Sequence, residues 1–74
     1  MTKTLIKLHE PENVKEFVHV AEQCDFDVDV VYNRVIVDAK SFLGVLSLAS
    51  NPVYVASQGY NAALEGICQK YAVK

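Results

Sequence analysis

The chain has 74 residues, of which 51% are apolar and 22% are charged, and its formal net charge is −2. This composition predicts a packed core rather than disorder, and the length favours one domain over residues 1–74. The basic residues are scattered singly and no apolar run approaches the ~20 residues of a membrane span, so we expect neither a nucleic-acid nor a membrane partner. No signal core opens the sequence, and we expect a cytoplasmic protein.

The first predicted elements are a strand and a helix. Residues 4–8 alternate in polarity, with Ile6 and Leu8 on the core face of a strand. Pro11 suits the first position of a helix, because its φ is already helical and its missing N–H is not needed there. The residues that follow place apolar side chains at helical spacing: Val14, Phe17, Val18 and Ala21.

A hairpin and a second helix come next. Strands predicted over residues 26–31 and 34–37 are joined by a turn at Asn33, a residue type that tolerates positive φ. Ser41 directly precedes an apolar run over residues 42–48. A serine in this position is a good N-cap, so the run predicts a short helix that begins after Ser41.

The last third of the chain predicts one more strand and one more helix. Residues 50–52 break the second helix, and residues 53–57 read as a fourth strand. A closing helix follows Gly59, with this apolar stripe: Leu64, Ile67, Cys68 and Tyr71. The order β-α-β-β-α-β-α predicts an α+β open-faced β-sandwich. It is a four-stranded antiparallel sheet with three helices on one face, the second helix being the shortest.

The sequence offers no metal or cofactor site. Cys24 and Cys68 have no metal-ligand spacing and lie on predicted apolar stripes, so we expect both to pack in the core. Asp25, Asp27 and Asp29 diverge along a strand and no Gly-bearing calcium loop accompanies them. We interpret these three aspartates as a solvated face of the sheet.

Residues 37–48 run Val-Asp-Ala-Lys-Ser-Phe-Leu-Gly-Val-Leu-Ser-Leu. This segment resembles the regulatory-serine segment of HPr proteins of Gram-positive bacteria, the histidine phosphocarriers of the sugar phosphotransferase system. Phe17-Val18 with Ala21, and Gly59 with the helix after it, match the same family. The resemblance spans nearly the whole chain, with a short deletion around residues 50–52. It implies protein partners: phosphotransferase enzymes, a serine kinase or a transcriptional regulator.

The resemblance fails at the family's active site, a Gly-Leu-His-x-Arg-Pro stretch. An ungapped alignment puts Glu10 at the phosphorylated histidine, Glu12 at the arginine and Asn13 at the proline. His9 lies one position early. An acid in the arginine's place would repel phosphoryl oxygens instead of holding them. The sequence therefore predicts no catalytic residue and no enzyme activity.

Ser41 and the helix after it are the candidate binding region. Ser41 as an N-cap would contribute ~1 kcal/mol over alanine, and the resemblance implies that it is also a regulatory phosphorylation site. A phosphate there would be favoured by the helix dipole and by Lys40. The helix carries more apolar residues than one face can bury, so an exposed remainder among Phe42, Leu43 and Leu46 predicts a docking patch. We expect Lys40, beside this patch, to be a further partner-binding residue.

Three hypotheses about function follow. The first is an HPr-like regulatory or protein-binding domain without histidine phosphotransfer, acting through Ser41 and the second helix. The alternative is a working phosphocarrier of the phosphoenolpyruvate-dependent sugar system that uses His9. The third is a diverged structural domain with neither activity.

Overall fold

The computed structural model describes residues 2–73. Its elements are β1 Thr2–Ile6, α1 Pro11–Glu22, β2 Val28–Tyr32, β3 Val35–Asp38, α2 Phe42–Leu48, β4 Val53–Ser57 and α3 Ala62–Lys70. The strands form one antiparallel sheet in the order β1-β4-β2-β3. The inner face of this sheet and the three helices share one apolar cluster. The predicted open-faced sandwich is confirmed, and α2 is its shortest helix.

The core lies between the helices and the inner face of the sheet. Phe17 on α1 is the largest side chain that is fully buried. The predicted stripe of α1 is buried throughout, and that of α3 is buried except for Tyr71, which is half-buried and follows the last turn. Cys24 and Cys68 are both buried and free, as predicted. Burial raises the pKa of Cys68 to about 11, so its side chain remains a thiol.

Three strands are displaced from the sequence prediction at both ends: the sequence predicts β1 over residues 4–8, β2 over residues 26–31 and β3 over residues 34–37. β1 ends at Ile6 instead of Leu8, because its ladder with β4 stops there, although Leu8 is still buried in the core. β3 begins at Val35, because Asn33 and Arg34 form the turn. Asn33 has a φ of 53°, the left-handed conformation that its residue type favours. Alternation of side chains therefore identified the buried face but not the end of the hydrogen-bonded ladder.

The C-terminal residues cover part of the outer edge of β1. The N–H of Lys7 donates to the carbonyl of Tyr71 at 3.0 Å, and the N–H of Val73 donates to the carbonyl of Leu5 at 3.0 Å. Ala72 forms a bridge with β1 between these two bonds. This short tail segment gives β1 a neighbour on both sides along the end of the strand.

Gly59 lies directly against the ring of Phe26. A Cβ at position 59 would stand 2.8 Å from Cδ2 of that ring, so the ring would have to move. We expect Gly59→Ala to lower the free energy of unfolding by about 1–3 kcal/mol. Gly66→Ala is the control, because the space around Gly66 on α3 is open. It should raise the free energy by about 1 kcal/mol. Urea unfolding measures both, and equal effects would contradict the contact.

Candidate functional site

The first half of the candidate site is the start of α1. Glu10 is the N-cap residue and has extended backbone angles, with φ −110° and ψ 155°. Its N–H donates to Oδ1 of Asn13 at 2.9 Å, and Pro11 takes the first helical position. Glu10 therefore lies at the N-terminus of α1, where the sequence placed it. The carboxyl-bearing side chain is exposed.

His9 is exposed and lies just before this cap. It lines an open groove together with the residue after β1, the last residue of α3 and the three residues that follow α3: Lys7, Lys70, Tyr71, Ala72 and Val73. The two lysines of the groove already have acceptors. Nζ of Lys7 donates to the carbonyl of Ser50 at 3.0 Å, and Nζ of Lys70 contacts both carboxylate oxygens of Glu16 at 3.0 and 3.1 Å.

Glu16 is the centre of a polar network that joins α1 to the end of α3. The hydroxyl of Tyr71 donates to Oε1 of Glu16 at 2.6 Å and accepts from Nδ2 of Asn13 at 3.0 Å. Lys70 completes the network with the ion pair to Glu16. Sequence reasoning missed this network, because 55 positions separate Glu16 from Tyr71 and Tyr71 read as one more apolar residue of a helical stripe.

The same network makes stability depend on pH. Hydrogen bonds from Tyr71, and then from Lys70, hold the pKa of Glu16 below its ordinary value in the folded protein. The resulting stability is present above the unfolded pKa and is lost as the pH falls through the folded pKa. We expect the difference in unfolding free energy between wild type and Glu16→Gln to be largest near neutral pH and to shrink on acidification.

Urea unfolding at a series of pH values measures this difference. The matched background is Tyr71→Phe, which removes the strongest of the hydrogen bonds to the carboxylate. In that background Glu16→Gln should cost less and its cost should vary less with pH, which a double-mutant cycle reports directly. A difference that is constant from acid to neutral pH would contradict the proposed origin of the shift.

The second half of the site is the start of α2. Ser41 caps this helix, as the sequence predicts: its backbone is extended and its Oγ accepts from the N–H of Gly44 at 3.2 Å. The side chain of Ser41 is exposed. A Cβ at Gly44 would lie 3.2 Å from Oγ of Ser41 and 3.3 Å from Cβ of Val37. The glycine thus lets α2 close tightly on both its cap and β3.

Lys40 is half-buried. Nζ of Lys40 donates to the carbonyl of Cys24 at 3.0 Å, which ties the start of α2 to the end of α1. Its backbone N–H donates to Oδ1 of Asp38 at 2.9 Å. A favourable contribution of Lys40 to a phosphate on Ser41 stays a prediction, since an ammonium group has three N–H donors and the carbonyl of Cys24 takes one of them.

α2 exposes apolar side chains beside its cap. Leu43 is 75% exposed and Leu46 is 37% exposed, and their three-residue spacing puts them on neighbouring turns of one side. Phe42 is half-buried, packs against the core and lines an open groove between α1 and α2. We call the surface formed by Ser41, Phe42, Leu43 and Leu46 the α2 patch.

Residues 2–73 contain neither a cluster of metal-ligating side chains nor a helix that could span a membrane. No group of three or more His, Cys, Asp or Glu side chains in that range could hold a metal ion. Asp25 and Asp27 are exposed, and Asp29 is half-buried. No helix in the described part of the chain is long and apolar enough to cross a bilayer. The start of α1 and the α2 patch carry the site residues that the sequence predicts.

A solved structure with the same fold is similar to this chain. No protein-family model matches the chain, and no curated protein matches it. The crystal structure of HPr-C-His from Thermoanaerobacter tengcongensis superimposes with a TM-score of 0.74 at 24% sequence identity. The match covers 95% of this chain and 93% of that chain. The chain therefore has the open-faced sandwich fold of an HPr.

Proposed function

We propose that this chain is an HPr-like regulatory or protein-binding module that does not pass phosphoryl groups through histidine. The observation that supports it is the α2 patch, in which the exposed cap residue Ser41 adjoins the exposed side chains of Leu43 and Leu46. In the family that the sequence resembles, the corresponding serine is regulatory and this helix docks partners. The proposed partners are proteins: phosphotransferase-system enzymes, a serine kinase or a transcriptional regulator.

The start of α1 supports the part of the proposal that excludes phosphoryl transfer through histidine. Glu10 occupies the N-cap, and Glu12 is the acid in the first turn. Phosphoryl transfer through histidine needs a nucleophile whose phosphate is met by helix N–H groups and by a cation. Here the carboxylates of both residues lie in that region, and they would repel the dianion.

The energetics of the α2 patch fit a docking role. Burial of one leucine side chain against a partner is worth about 1.5–3 kcal/mol, so Leu43 alone supplies a useful anchor. A phosphate on Ser41 would add a charge of about −1.5 to −2 at the border of that apolar surface. The added charge would weaken partners that bury the patch against apolar groups, and it would favour partners that present arginine.

The test exposes wild type, Ser41→Ala and Ser47→Ala to a serine kinase of the HPr type. Ser47 is the matched control, because it is also exposed and also on α2. We expect wild type and Ser47→Ala to gain one phosphoryl group of about 80 Da, Ser41→Ala to gain none, and the phosphorylated form to bind a regulator of the family with altered affinity. Intact-mass spectrometry and titration calorimetry measure these results.

An HPr added to the same reaction separates the possible outcomes. If that HPr is phosphorylated and this chain is not, Ser41 is a cap alone and its regulatory role is refuted. If Ser41→Ala is still phosphorylated, the modified residue lies elsewhere. If Leu43→Asp leaves binding of the regulator unchanged while the fold is intact, the α2 patch is not the docking surface.

A further inference from the structure

β3 is an open edge of the sheet. Within residues 2–73 no strand or tail segment pairs with its outer side, whereas the opposite edge strand is covered along its end by residues 71–73. An open edge presents backbone N–H and C=O groups that can pair with another strand. β3 also carries two exposed apolar residues, Val35 at 47% and Ile36 at 65%.

The hydrogen-bond pattern shows which backbone groups of β3 are free. The N–H of Ala39 donates to the carbonyl of Val28 at 2.9 Å, one step beyond the continuous β2–β3 register. Because bonded and non-bonded pairs alternate in an antiparallel ladder, Val35 and Val37 also direct their groups toward β2. The backbone groups of Ile36 and Asp38, which alternate with Val35, Val37 and Ala39, therefore point away from the sheet.

The side chains of β3, taken together with the turn residue Arg34 that precedes it, are self-complementary. Residues 34–38 read Arg-Val-Ile-Val-Asp, so the segment is basic at one end, apolar in the middle and acidic at the other. Two such strands, antiparallel and centred on Ile36, place Arg34 opposite Asp38 of the second copy, twice. This register uses the backbone N–H and C=O groups that point outward. Ile36 lies opposite Ile36 of the second copy, and the two residues exchange both backbone hydrogen bonds.

The outer face of the sheet supports the same arrangement. One row of aligned residues crosses all four strands of the sheet: Leu5, Tyr54, Val31 and Ile36. Ile36 ends this row at the open edge. Pairing through β3 would continue the row from one copy into the other and would bury Ile36 at the junction.

We propose that β3 pairs antiparallel with β3 of a second copy of this chain, about a two-fold axis at Ile36. The two four-stranded sheets then form one continuous sheet. This surface is separate from the α2 patch and does not depend on the proposed function. The paired strands are short and bury less than the roughly 800 Å² per partner of a standard interface, so association is weak.

The test is sedimentation velocity at protein concentrations from the order of 10 µM to 1 mM. We expect the dimer fraction of wild type to rise across this range. Arg34→Glu and Asp38→Lys should each weaken the dimer about tenfold or more, because like charges then oppose each other. An equimolar mixture of the two variants should restore association, because each strand then offers the charge that the other lacks.

Two control variants separate the loss of strand pairing from general effects of charge and of folding. Lys3→Glu makes the same charge change as Arg34→Glu at an exposed residue of β1 and should leave the dimer unchanged. Ile36→Lys should abolish the dimer, whereas Tyr60→Lys, at a residue that is 77% exposed, should not. Circular dichroism verifies that each variant is folded.

Amide hydrogen exchange provides the local readout. The amide of Ile36 should exchange more slowly as protein concentration rises in wild type, and not in Arg34→Glu. A protein that remains monomeric at 1 mM overturns the proposal. A dimer that keeps its affinity in both Arg34→Glu and Ile36→Lys also overturns it, because that dimer uses another surface.

Discussion

Incubated with phosphoenolpyruvate and the general phosphotransferase of the sugar system, this chain is expected to keep its unmodified mass. An HPr added to the same tube should gain about 80 Da on its histidine. The difference has a structural reason. Glu10 is the N-cap of α1 and Glu12 lies in its first turn, and the sequence alignment predicts that these two acids stand in place of the family's histidine and arginine.

We expect that His9 does not replace the missing parts. It precedes the cap residue, and the two lysines of its groove are held by the carbonyl of Ser50 and by Glu16. A phosphoryl group on His9 would therefore meet one ammonium group, that of Lys70, whose charge is already offset by the carboxylate of Glu16. The intact mass is measured without acid, because phosphohistidine is hydrolysed under acidic conditions. The appearance of an adduct that His9→Ala abolishes and His19→Ala retains would establish the phosphocarrier alternative.

Phe17→Ala is expected to lower the free energy of unfolding by about 3–5 kcal/mol. Phe17 is fully buried and is the largest such side chain in the core between the helices and the sheet. A domain has a total stability of about 5–15 kcal/mol, and one of 74 residues lies toward the lower end of that range. The loss therefore brings the protein close to unfolding at room temperature.

Urea unfolding followed by circular dichroism measures this loss. Phe17→Leu keeps most of the volume and should cost less than half as much. Tyr60→Ala is the surface control, because Tyr60 is 77% exposed, and it should change the free energy by about 0.5 kcal/mol or less. If Phe17→Ala cost no more than Tyr60→Ala, the assignment of Phe17 to the core would be wrong.

Most of the fold followed from the sequence, because each element carries its own local pattern. The strand over residues 53–57 and the helix over residues 42–48 have the predicted bounds, since turn residues and the Ser41 cap delimit both. β1 was placed two residues late, because Lys7 and Leu8 continue the alternation beyond the ladder. Leu8 is buried by the path of the chain toward α1 and not by strand pairing.

The candidate site was less predictable, because its details depend on contacts between distant residues. The cap role of Ser41 and the exposure of Leu43 followed from local sequence. The acceptor of the Lys40 ammonium group is the carbonyl of Cys24, and the partner of Glu16 is Tyr71. No local pattern encodes which of several surface carbonyls or hydroxyls a long side chain will reach.

The contact between Gly59 and Phe26 constrains the order in which substitutions can accumulate during evolution. A methyl group at position 59 would press on the ring at 2.8 Å, so a lineage that acquired alanine at 59 first would lose stability. A smaller side chain at position 26 would remove the obstacle and turn the later change at 59 into a neutral step. Homologous sequences with a large ring at position 26 should therefore have glycine at position 59. A larger residue at position 59 should occur only in sequences that already have a smaller side chain at position 26.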